Sequence, residues 1–454
     1  MTQKEAFEIM TSGYNVYLTG PAGSGKTFLL NKYIAYLKDH GVDAGVTAST
    51  GIAATHIGGL TIHSWSGFGI KDKLDKQDID NLLLKPYLQR RFMETQVLII
   101  DEISMLHATH LDLVDKICKA FKSNNLPFGG IQIILCGDFF QLPPVSKNGE
   151  KSDFVDKSKV WQEMDIKICY LDEQHRHQDE RFLLLLNQIR DNNVSSESIR
   201  LLMSRLNKLI GGNIPATRLY THNIDVDAIN NFELQKIKEP SKEYEMTSWG
   251  EQTLVDILKK GCLAPEKLVL KKGAVVMFVK NNFDKGYVNG TVGKVIGFDE
   301  SNLPIIETVS KMKVTATPTS WTIEGKDRVK AEISQIPLRL AWAITVHKSQ
   351  GMSLDLAEID LSKSFLPGMG YVALSRVRTL NGIKLMGLNK LALEVEPEVI
   401  KADIKLREAS ETVKYLLKSL HKKEKPQVKF LQLLTQTQST LYGVRKYIIS
   451  KLKE

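Results

Sequence analysis

The sequence predicts an α/β protein in which helices cover parallel sheets. Short apolar runs that end in polar or acidic residues recur early in the chain, with helical segments between them: "NVYLTG", "AGVTAST", "QVLIIDE" and "IQIILCGD". Strands that alternate with helices in this way pair in parallel, because each helix returns the chain to the same end of the sheet. Ligands of such sheets bind at the carboxyl ends of the strands, so we expect the functional residues where these runs end.

Length, composition and charge favour a soluble globular protein with a basic end. The chain has 454 residues, 43% of them hydrophobic and 25% charged, which predicts about three domains. Thirteen Lys or Arg and five Asp or Glu in 401–454 supply +8 of the net charge of +9. Such asymmetry indicates an arm for a polyanion, and a solvated helical face is the alternative.

The cysteines and the hydropathy indicate a cytoplasmic protein. Four scattered cysteines without a C-x-x-C pair predict neither a disulfide framework nor a zinc site. The segment "TQKEAFEIM" after Met1 lacks the long apolar run of a signal peptide, and no later stretch predicts a membrane span. We expect a cytoplasmic protein of bacterial or phage-like source.

The first unit begins with a helix and carries a helical insert. Thr2 and Glu5 form a possible capping box, and the helix "FLLNKYIAYLKDHG" is predicted to close at Gly41. The charged segment between "TIHSWSGF" and "FMETQVLII", about 66–94, has helical periodicity and no strand signal. We interpret it as an excursion from the first sheet.

The second unit begins near Leu171 and contains an all-β insert. The segment "ATRLYTHNIDVDAINNFELQ" predicts a strand, a turn and a helix, and "RLAWAITVHKSQGMSLDLAEIDL" predicts a helix and a buried strand. Between them, at about 272–336, short strands separated by Gly and Asn-Gly predict a small barrel.

The segment "GPAGSGKT" predicts a phosphate-binding loop. Its spacing, Gly20-x-x-x-x-Gly25-Lys26-Thr27, lies between a strand and a helix. Gly23 and Gly25 allow backbone N–H groups to surround phosphates, while Lys26 meets the β and γ oxygens and Thr27 meets Mg²⁺. The alternative is a chance glycine turn.

Two further strand ends predict the rest of a hydrolytic site. In "LIIDE", Asp101 is placed to hold Mg²⁺ and Glu102 to polarise the attacking water, although an acidic strand end also serves as a helix cap. In "ILCGDFFQLPPV", Gln141 is placed to detect the γ-phosphate, with Asp138 supporting a loop that two prolines stiffen. A surface turn is the alternative for that cluster.

Two arginines are candidates to complete the site from the second unit. Arg176, between His175 and His177, and Arg376 in "YVALSRVRT" are placed to neutralise charge that develops on a phosphate. A salt-bridged surface position is the alternative for each arginine. The two histidines lack nearby Cys or acidic residues at metal spacing, so they do not predict a metal site.

These motifs, in this order, resemble the Pif-type (petite integration frequency) DNA helicases, relatives of RecD in group B of helicase superfamily 1. The resemblance spans residues 3–390 and rests on "GPAGSGKT", "TASTGIAATHIGGLTIHSW", "LIIDEISML", "NNLPFGGIQIILCGDFFQLPPV", "AWAITVHKSQGMSLD" and "GYVALSRVRT". It implies two RecA-like P-loop NTPase domains. The implied division is 1–165 for the first domain with a wedge-like insert at about 66–94, 166–271 with 337–400 for the second, 272–336 for an SH3-like insert, and 401–454 for a basic helical extension.

The resemblance also assigns roles to individual residues. It implies that Gln3 reads adenine, that Arg176 and Arg376 are arginine fingers, and that ATP and Mg²⁺ are the cofactors. The implied nucleotide contacts are Gln3, Gly20, Ala22, Gly23, Ser24, Gly25, Lys26, Thr27, Gln350 and Gly351. The implied contacts to single-stranded DNA are Thr47, Ser49, Thr50, Gly51, His63, Ser64, Trp65, His347 and Ser349. By composition alone, Trp65 and Phe139 are better interpreted as core aromatics than as stacking platforms for DNA bases.

The resemblance implies an ATP-dependent 5′-to-3′ DNA helicase that acts in genome maintenance. Its partners would be single-stranded and duplex or forked DNA, with G-quadruplexes or RNA–DNA hybrids as further substrates, and no membrane or small molecule other than ATP. We expect a monomer. The alternatives are a remodelling ATPase that does not unwind duplexes and a nucleotide-gated DNA clamp, and a P-loop metabolic kinase leaves residues 171–390 without a role.

Overall fold

The computed structural model describes residues 1–69, 71, 73–141, 143–144, 153–177, 179–208, 210, 214–220, 225–324 and 329–420. Helices alternate with strands through most of this length. The helices are α1 (Gln3–Thr11), α2 (Lys26–Asp39), α3 (Gly51–His56), α4 (Ile62–Ser66), α5 (Lys76–Leu83), α6 (Pro86–Glu94), α7 (Ala108–Lys122), α8 (Lys159–Glu163), α9 (Glu180–Arg190), α10 (Ser196–Met203), α11 (Val226–Gln235), α12 (Gln252–Gly261), α13 (Met369–Leu374) and α14 (Pro397–Leu420).

Within these described ranges, the strands form two parallel and three antiparallel sheets. The strands are β1 (Asn15–Thr19), β2 (Ala44–Ala48), β3 (Leu60–Thr61), β4 (Val97–Asp101), β5 (Gln132–Cys136), β6 (Ile166–Tyr170), β7 (Thr217–Tyr220), β8 (Ser241–Glu245), β9 (Thr247–Gly250), β10 (Lys267–Lys271), β11 (Val275–Phe278), β12 (Val292–Phe298), β13 (Pro304–Thr308), β14 (Lys313–Thr315), β15 (Thr319–Glu324), β16 (Val329–Gln335), β17 (Leu338–Leu340), β18 (Ala343–Thr345), β19 (Ala357–Leu361) and β20 (Ile383–Leu388).

The first sheet is parallel and is covered on both faces. Its order is β3-β2-β4-β5-β1-β6, and all five strand pairs are parallel. Successive residues of β4 enter different cores: Leu98 and Ile100 join the core that contains α7, whereas Val97 and Ile99 join the core that contains α1 and α2. A strand buried on both faces reads as a continuous apolar run, which is why the sequence predicted β1, β2, β4 and β5.

The first sheet extends further along the chain than predicted. Strand β6 pairs in parallel with β1, with Asn15 opposite Ile166 and Thr19 opposite Tyr170. Strand β6 thus lies after the division implied at 165/166 but belongs to the first sheet, and it ends at Tyr170, just before the second unit predicted near Leu171. It is an edge strand that pairs with β1, a long-range pairing that has no signal in the local sequence.

The second parallel sheet has the order β18-β7-β19-β20. The helix predicted within "RLAWAITVHKSQ" is wrong, because this segment forms β17, β18 and then turns. A short apolar run fits a buried strand and a buried helix equally well, and here pairing of β18 with β7 decides the outcome. The strand and helix predicted from "ATRLYTHNIDVDAINNFELQ" are β7 and α11, and the turn between them lies at 221–224, outside the described residues.

The all-β insert is confirmed, and its strands extend beyond 272–336. The five-stranded sheet β14-β13-β12-β11-β17, the three-stranded sheet β15-β16-β9 and the pair β10-β8 are all antiparallel. Pairing starts at β8, where exposed and half-buried side chains alternate in "SKEYE". This alternation of polar residues is typical of an edge strand and escaped a search for apolar runs.

The first residues of the chain and helix α14 meet at the edge strand β6 of the first sheet. The predicted capping box of α1 is present at Thr2 and Glu5. Helix α14 begins at Pro397, four residues before the predicted extension, and packs against β6, where the Tyr170 N–H donates to the Ser410 hydroxyl over 3.1 Å. Val413 and Leu417 enter the core that contains α1. The predicted extension beyond residue 420 lies outside the described residues.

Three further sequence predictions concern the helical insert, the cysteines and the hydropathy of the helices. Helices α5 and α6 occupy the predicted insert, and its described residues contain no strand. All four cysteines are free. None of the described helices combines the length and apolar character that crossing a bilayer requires.

Candidate nucleotide site between the two parallel sheets

The loop "GPAGSGKT" connects β1 to α2 and needs glycine at three positions. Gly20, Gly23 and Gly25 have φ of +139°, +87° and +84°, values that side-chain-bearing residues rarely adopt. A Cβ atom at Gly23 would lie 2.6 Å from Cβ of Arg176, and one at Gly25 would lie 2.1 Å from Nε2 of Gln3. The loop is therefore in close contact with two other segments of the predicted site.

Lys26 lies at the first turn of α2 and bends back over the loop. Its Nζ donates to the carbonyl oxygens of Gly20 (2.7 Å) and Pro21 (3.1 Å), and burial lowers the pKa of its ammonium. The Ser24 hydroxyl is fully buried and has no hydrogen-bond partner within the described part of the chain. A half-buried cation and an unpaired hydroxyl beside backbone N–H groups at a helix N-terminus fit the phosphates of a nucleotide.

Two carboxylates lie at the carboxyl end of β4, close to Lys26. Asp101 ends the strand, and its Oδ1 accepts the backbone N–H of Glu102 over 2.8 Å. Glu102 has left-handed backbone angles, φ 51° and ψ 43°, which are uncommon for a residue with a side chain. Burial raises the pKa of both carboxyls, and the neighbouring charge of Asp101 raises that of Glu102 further. A divalent cation would relieve this repulsion, so the pair fits a Mg²⁺ site.

Gln141 and Arg376 join the two sheets. Arg376 follows α13, and its Nη2 donates to Oε1 of Gln141 over 3.1 Å, while its Nε donates to the carbonyl of Val372. Both residues are buried: Arg376 has 2% of its surface exposed and Gln141 has 8%. The contact therefore connects the residue predicted to detect the γ-phosphate with a predicted arginine finger from the other sheet.

Arg176 brings a second guanidinium to the same place. Its Nη1 donates to the carbonyl of Ser375 over 3.1 Å. Burial, together with the charge of Arg376, lowers the pKa of Arg176 to about 9. The adjacent His177 is buried, and burial beside Arg176 lowers its pKa to about 4. Two partly uncompensated guanidinium groups next to a phosphate-binding loop favour a highly charged anion.

Gln3 reaches the loop from α1. Its Nε2 lies 3.3 Å from the carbonyl oxygen of Ser24 and 3.0 Å from Nε2 of His175. The backbone N–H of His175 donates to the carbonyl of Gly23 over 3.0 Å. The amide predicted to read adenine thus lies beside the loop, next to a histidine to which sequence reasoning assigned no role.

A cavity of about 970 Å³ connects most of these groups. The predicted nucleotide-site residues that line it are Ala22, Gly23, Gly25, Lys26, Thr27, Asp101, Glu102, Gln141, Arg176, Gln350, Gly351 and Arg376. The β-rich insert supplies further lining residues that sequence reasoning missed: Lys280, Asn281, Phe283, Asn289 and Trp321. Tyr371 was also missed, and its hydroxyl accepts the backbone N–H of Ala22 over 3.1 Å. The only sequence signal for Tyr371 was a polar aromatic within the apolar run of α13.

The residues predicted to contact DNA fall into two groups. Thr47, Trp65 and Ser349 are buried: the Thr47 and Ser349 hydroxyls donate to the carbonyls of Ile99 and Val346, and Trp65 packs against Phe92. As placed, these three side chains contact protein. The six others are partly or fully exposed: Ser49, Thr50, Gly51, His63, Ser64 and His347.

One DNA candidate contacts the acidic strand end directly. The Ser49 hydroxyl donates to the carbonyl of Glu102 over 2.7 Å, and the Ser49 N–H donates to the carbonyl of Asp101 over 3.0 Å. A displacement of Ser49 would therefore reach the backbone of both carboxylates. Thr50 caps α3, and Gly51 packs on Gly261 of α12, where a Cβ would meet the Gly261 Cα at 3.3 Å.

Fold and candidate site together define a P-loop ATPase, and the candidate nucleotide site lies between two parallel sheets of one chain. Comparisons with known proteins agree. The family model "PIF1-like helicase" matches residues 2–200, and the model "DNA helicase Pif1, 2B domain" matches residues 253–298. The chain belongs to the Pif1 family of ATP-dependent DNA helicases.

Individual relatives cover most of the chain. The ATP-dependent DNA helicase Pif1 of Psychrobacter sp. is 44% identical over 90% of this chain and 71% of its own length. The ATP-dependent DNA helicase PIF1 of Xenopus laevis is 38% identical over 88% of this chain, which spans only 63% of that protein.

Solved structures also match. Bacteroides sp. Pif1 in complex with ADP-AlF4 has a TM-score of 0.78 at 30% identity, covering 89% of this chain and 96% of that one. Pif1 helicase from Bacteroides with ADP-AlF3 and single-stranded DNA has a TM-score of 0.60 at 30% identity, covering 90% and 97%.

Proposed function

We propose that this chain hydrolyses ATP at the site between its two parallel sheets in order to move 5′ to 3′ along single-stranded DNA and separate duplex DNA. The observation that carries the proposal is the buried contact, over 3.1 Å, between Gln141, which follows β5 of the first sheet, and Arg376, which lies between β19 and β20 of the second. A nucleotide placed there would touch both sheets, so its γ-phosphate would control how they meet. The direction of movement rests on the family resemblance.

The chemistry follows from the residues that surround the loop. Lys26 and the backbone N–H groups of the loop hold the phosphates, and Gln3 contacts the adenine. Glu102, whose pKa burial raises, accepts a proton from the attacking water. Arg176 and Arg376 neutralise the charge that develops on the γ-phosphate, an effect worth about 10³ to 10⁵ in rate.

Magnesium would be held by the Thr27 hydroxyl and the Asp101 carboxylate. The raised pKa of the two buried carboxyls supports this assignment, because a cation relieves their mutual repulsion. The metal would supply charge neutralisation at the phosphates. A single chain supplies both sheets of the site, which supports a monomer as the working unit.

DNA is proposed to act on hydrolysis through Ser49. The Ser49 hydroxyl donates to the carbonyl of Glu102. A DNA strand that contacts the segment 47–51 would therefore shift the backbone of Glu102 and change the direction of its carboxylate. The rate of ATP hydrolysis and the affinity for DNA would then depend on each other, as a motor protein requires. The bacterial relative supports a cytoplasmic, nucleoid-associated protein as part of the same proposal.

The experiment that tests the proposal is steady-state ATP hydrolysis with and without single-stranded DNA. We expect DNA to raise turnover at least about tenfold and Lys26→Ala to abolish it, because the loop loses the cation that it directs at the phosphates. Lys38→Ala, on the exposed side of the same helix, is the matched control and should behave like wild type. Normal turnover in Lys26→Ala would refute the site assignment.

A further inference from the structure

A buried ionic network connects α14 to the nucleotide site. Its centre is Arg190, the last residue of α9, which has only 2% of its surface exposed. The Arg190 Nη1 donates to both carboxylate oxygens of Asp138, over 3.0 and 2.9 Å, and to the Tyr371 hydroxyl over 3.0 Å. Its Nη2 donates to the Tyr170 hydroxyl over 3.0 Å and to Oδ1 of Asp403 over 3.2 Å.

Each partner of Arg190 comes from a different part of the fold. Asp138 follows β5, Tyr170 ends β6, Tyr371 belongs to α13 and Asp403 belongs to α14. The Tyr170 hydroxyl also donates to Oδ1 of Asp403 over 3.0 Å, and Nε of Arg407 donates to Oδ2 over 2.7 Å, so the α14 carboxylate is held by three donors. The planar guanidinium is suited to this task, because its several N–H groups point to different partners at once.

The network reaches two parts of the site that the proposed hydrolysis needs: the turn that carries Gln141 and the helix α13 that precedes Arg376. Asp138 holds the turn that carries Gln141: its carbonyl accepts the Gln141 N–H over 2.9 Å, and its carboxylate accepts the Phe140 N–H over 3.2 Å. Tyr371 lies in α13, the helix that Arg376 follows. It also accepts the N–H of Ala22 in the phosphate-binding loop over 3.1 Å.

We infer that Arg190 is a positioning residue for ATP hydrolysis, and that α14 takes part in that positioning through Asp403. Arg190 fixes the Gln141 turn on one side and α13 on the other, so it sets both halves of the Gln141–Arg376 contact. The segment after the second sheet is then a working part of the ATPase. This inference rests on the proposed function, because it assigns a role in the hydrolysis proposed there.

The first variant is Arg190→Lys, which keeps the buried charge. One ammonium cannot span partners that lie in different directions, so the Gln141 turn and α13 lose their common anchor. We expect kcat for DNA-stimulated ATP hydrolysis to fall about tenfold, while KM for ATP stays within about twofold, because the loop and Lys26 that bind the phosphates remain. Active-site titration normalises each preparation to its folded fraction.

The second variant tests α14. Asp403→Asn keeps an acceptor oxygen for Tyr170 and Arg190 but removes the charge, and with it the ion pair to Arg407, and we expect kcat to fall about threefold. Glu408→Gln makes the same chemical change on an exposed position of the same helix and should match wild type. Should Arg190→Lys fail to fold, Tyr170→Phe removes a single hydroxyl from the network, and about a threefold loss of kcat is again expected.

A double variant separates positioning from a general loss of structure. If Arg190 acts through the Gln141–Arg376 contact, which Gln141→Ala already breaks, then adding Arg190→Lys to Gln141→Ala lowers kcat no further than about twofold. Multiplication of the two losses would overturn the inference, as would a kcat within about twofold of wild type in Arg190→Lys alone. Wild-type protein that is not stimulated by DNA would instead overturn the proposed function, so the two failures are distinguishable.

Discussion

The contact between Gln141 and Arg376 makes a quantitative prediction. The perturbation is a double-mutant cycle of Gln141→Ala and Arg376→Ala, measured as kcat for ATP hydrolysis at saturating single-stranded DNA. Both side chains are buried and 3.1 Å apart, and the donor carries a charge. A hydrogen bond to a charged group contributes about 1.5 to 3 kcal/mol, which corresponds to about 10- to 100-fold in rate.

Arg376→Ala alone should lower kcat about 10³-fold or more, since it removes a proposed arginine finger. Gln141→Ala should lower it by about 10- to 100-fold, because the buried guanidinium loses its acceptor. Once Arg376 is absent, removal of Gln141 should have little further effect, so the coupling energy should equal about 1.5 to 3 kcal/mol.

The control is the same cycle with Arg378→Ala. Arg378 lies near Arg376 in the chain, and its Nε is 3.5 Å from a carboxylate oxygen of Asp355. This cycle should be additive within about 0.5 kcal/mol. Additivity of the Gln141–Arg376 cycle within the same limit would refute the reasoning that the two residues act as one unit.

Three further predictions concern the acid, the helix contact and pH. Glu102→Gln should still bind a fluorescent ATP analogue but lose about 10²- to 10⁴-fold in kcat, and a loss below about tenfold would exclude Glu102 as the general base. Gly261→Ala places a Cβ 2.6 Å from the carbonyl oxygen of Gly51. It should therefore cost about 1–3 kcal/mol and lower Tm. Gly297→Ala, where a Cβ meets nothing within 4 Å, is the control, and equal Tm values for the two variants would contradict the packing. Burial lowers the pKa of His177 from 6.5 to about 4. Between these two pH values the unfolded chain binds a proton that the folded chain does not bind. The stability that neutral His177 contributes is therefore complete above pH 6.5 and is lost as the pH falls towards 4. Between about pH 7 and about pH 5 wild type should lose about 2 kcal/mol more stability than His177→Gln in denaturant titrations, and equal losses would contradict the burial.

Local sequence patterns predicted the parts of the fold that local physics determines. The phosphate-binding loop combines glycines that need positive φ with a lysine at a helix start, and this combination is visible within the segment "GPAGSGKT". Strands β1, β2, β4 and β5 are buried on both faces and therefore appear as apolar runs. Because parallel strands end at one edge of the sheet, the polar residues after β4 and β5 were expected to lie together with the loop.

Long-range pairing decided what the sequence did not predict. Strand β6 joined the first sheet through β1, and the predicted helix near Ala343 became β18 through β7. The partners of Arg190 lie up to 213 residues from it along the chain, so no window of sequence contains them. Trp65 is another example, because only the folded structure shows whether this aromatic side chain lies in the core or on a surface that binds DNA.

Strand separation tests the proposed helicase activity most directly. Duplexes that carry a single-stranded tail at either the 5′ or the 3′ end would be incubated with ATP and the wild-type protein, with Lys26→Ala as the inactive control. We predict that wild type opens only the 5′-tailed duplex and that Lys26→Ala opens neither. Opening of only the 3′-tailed duplex, or of neither while DNA still stimulates ATP turnover, would contradict the proposed function.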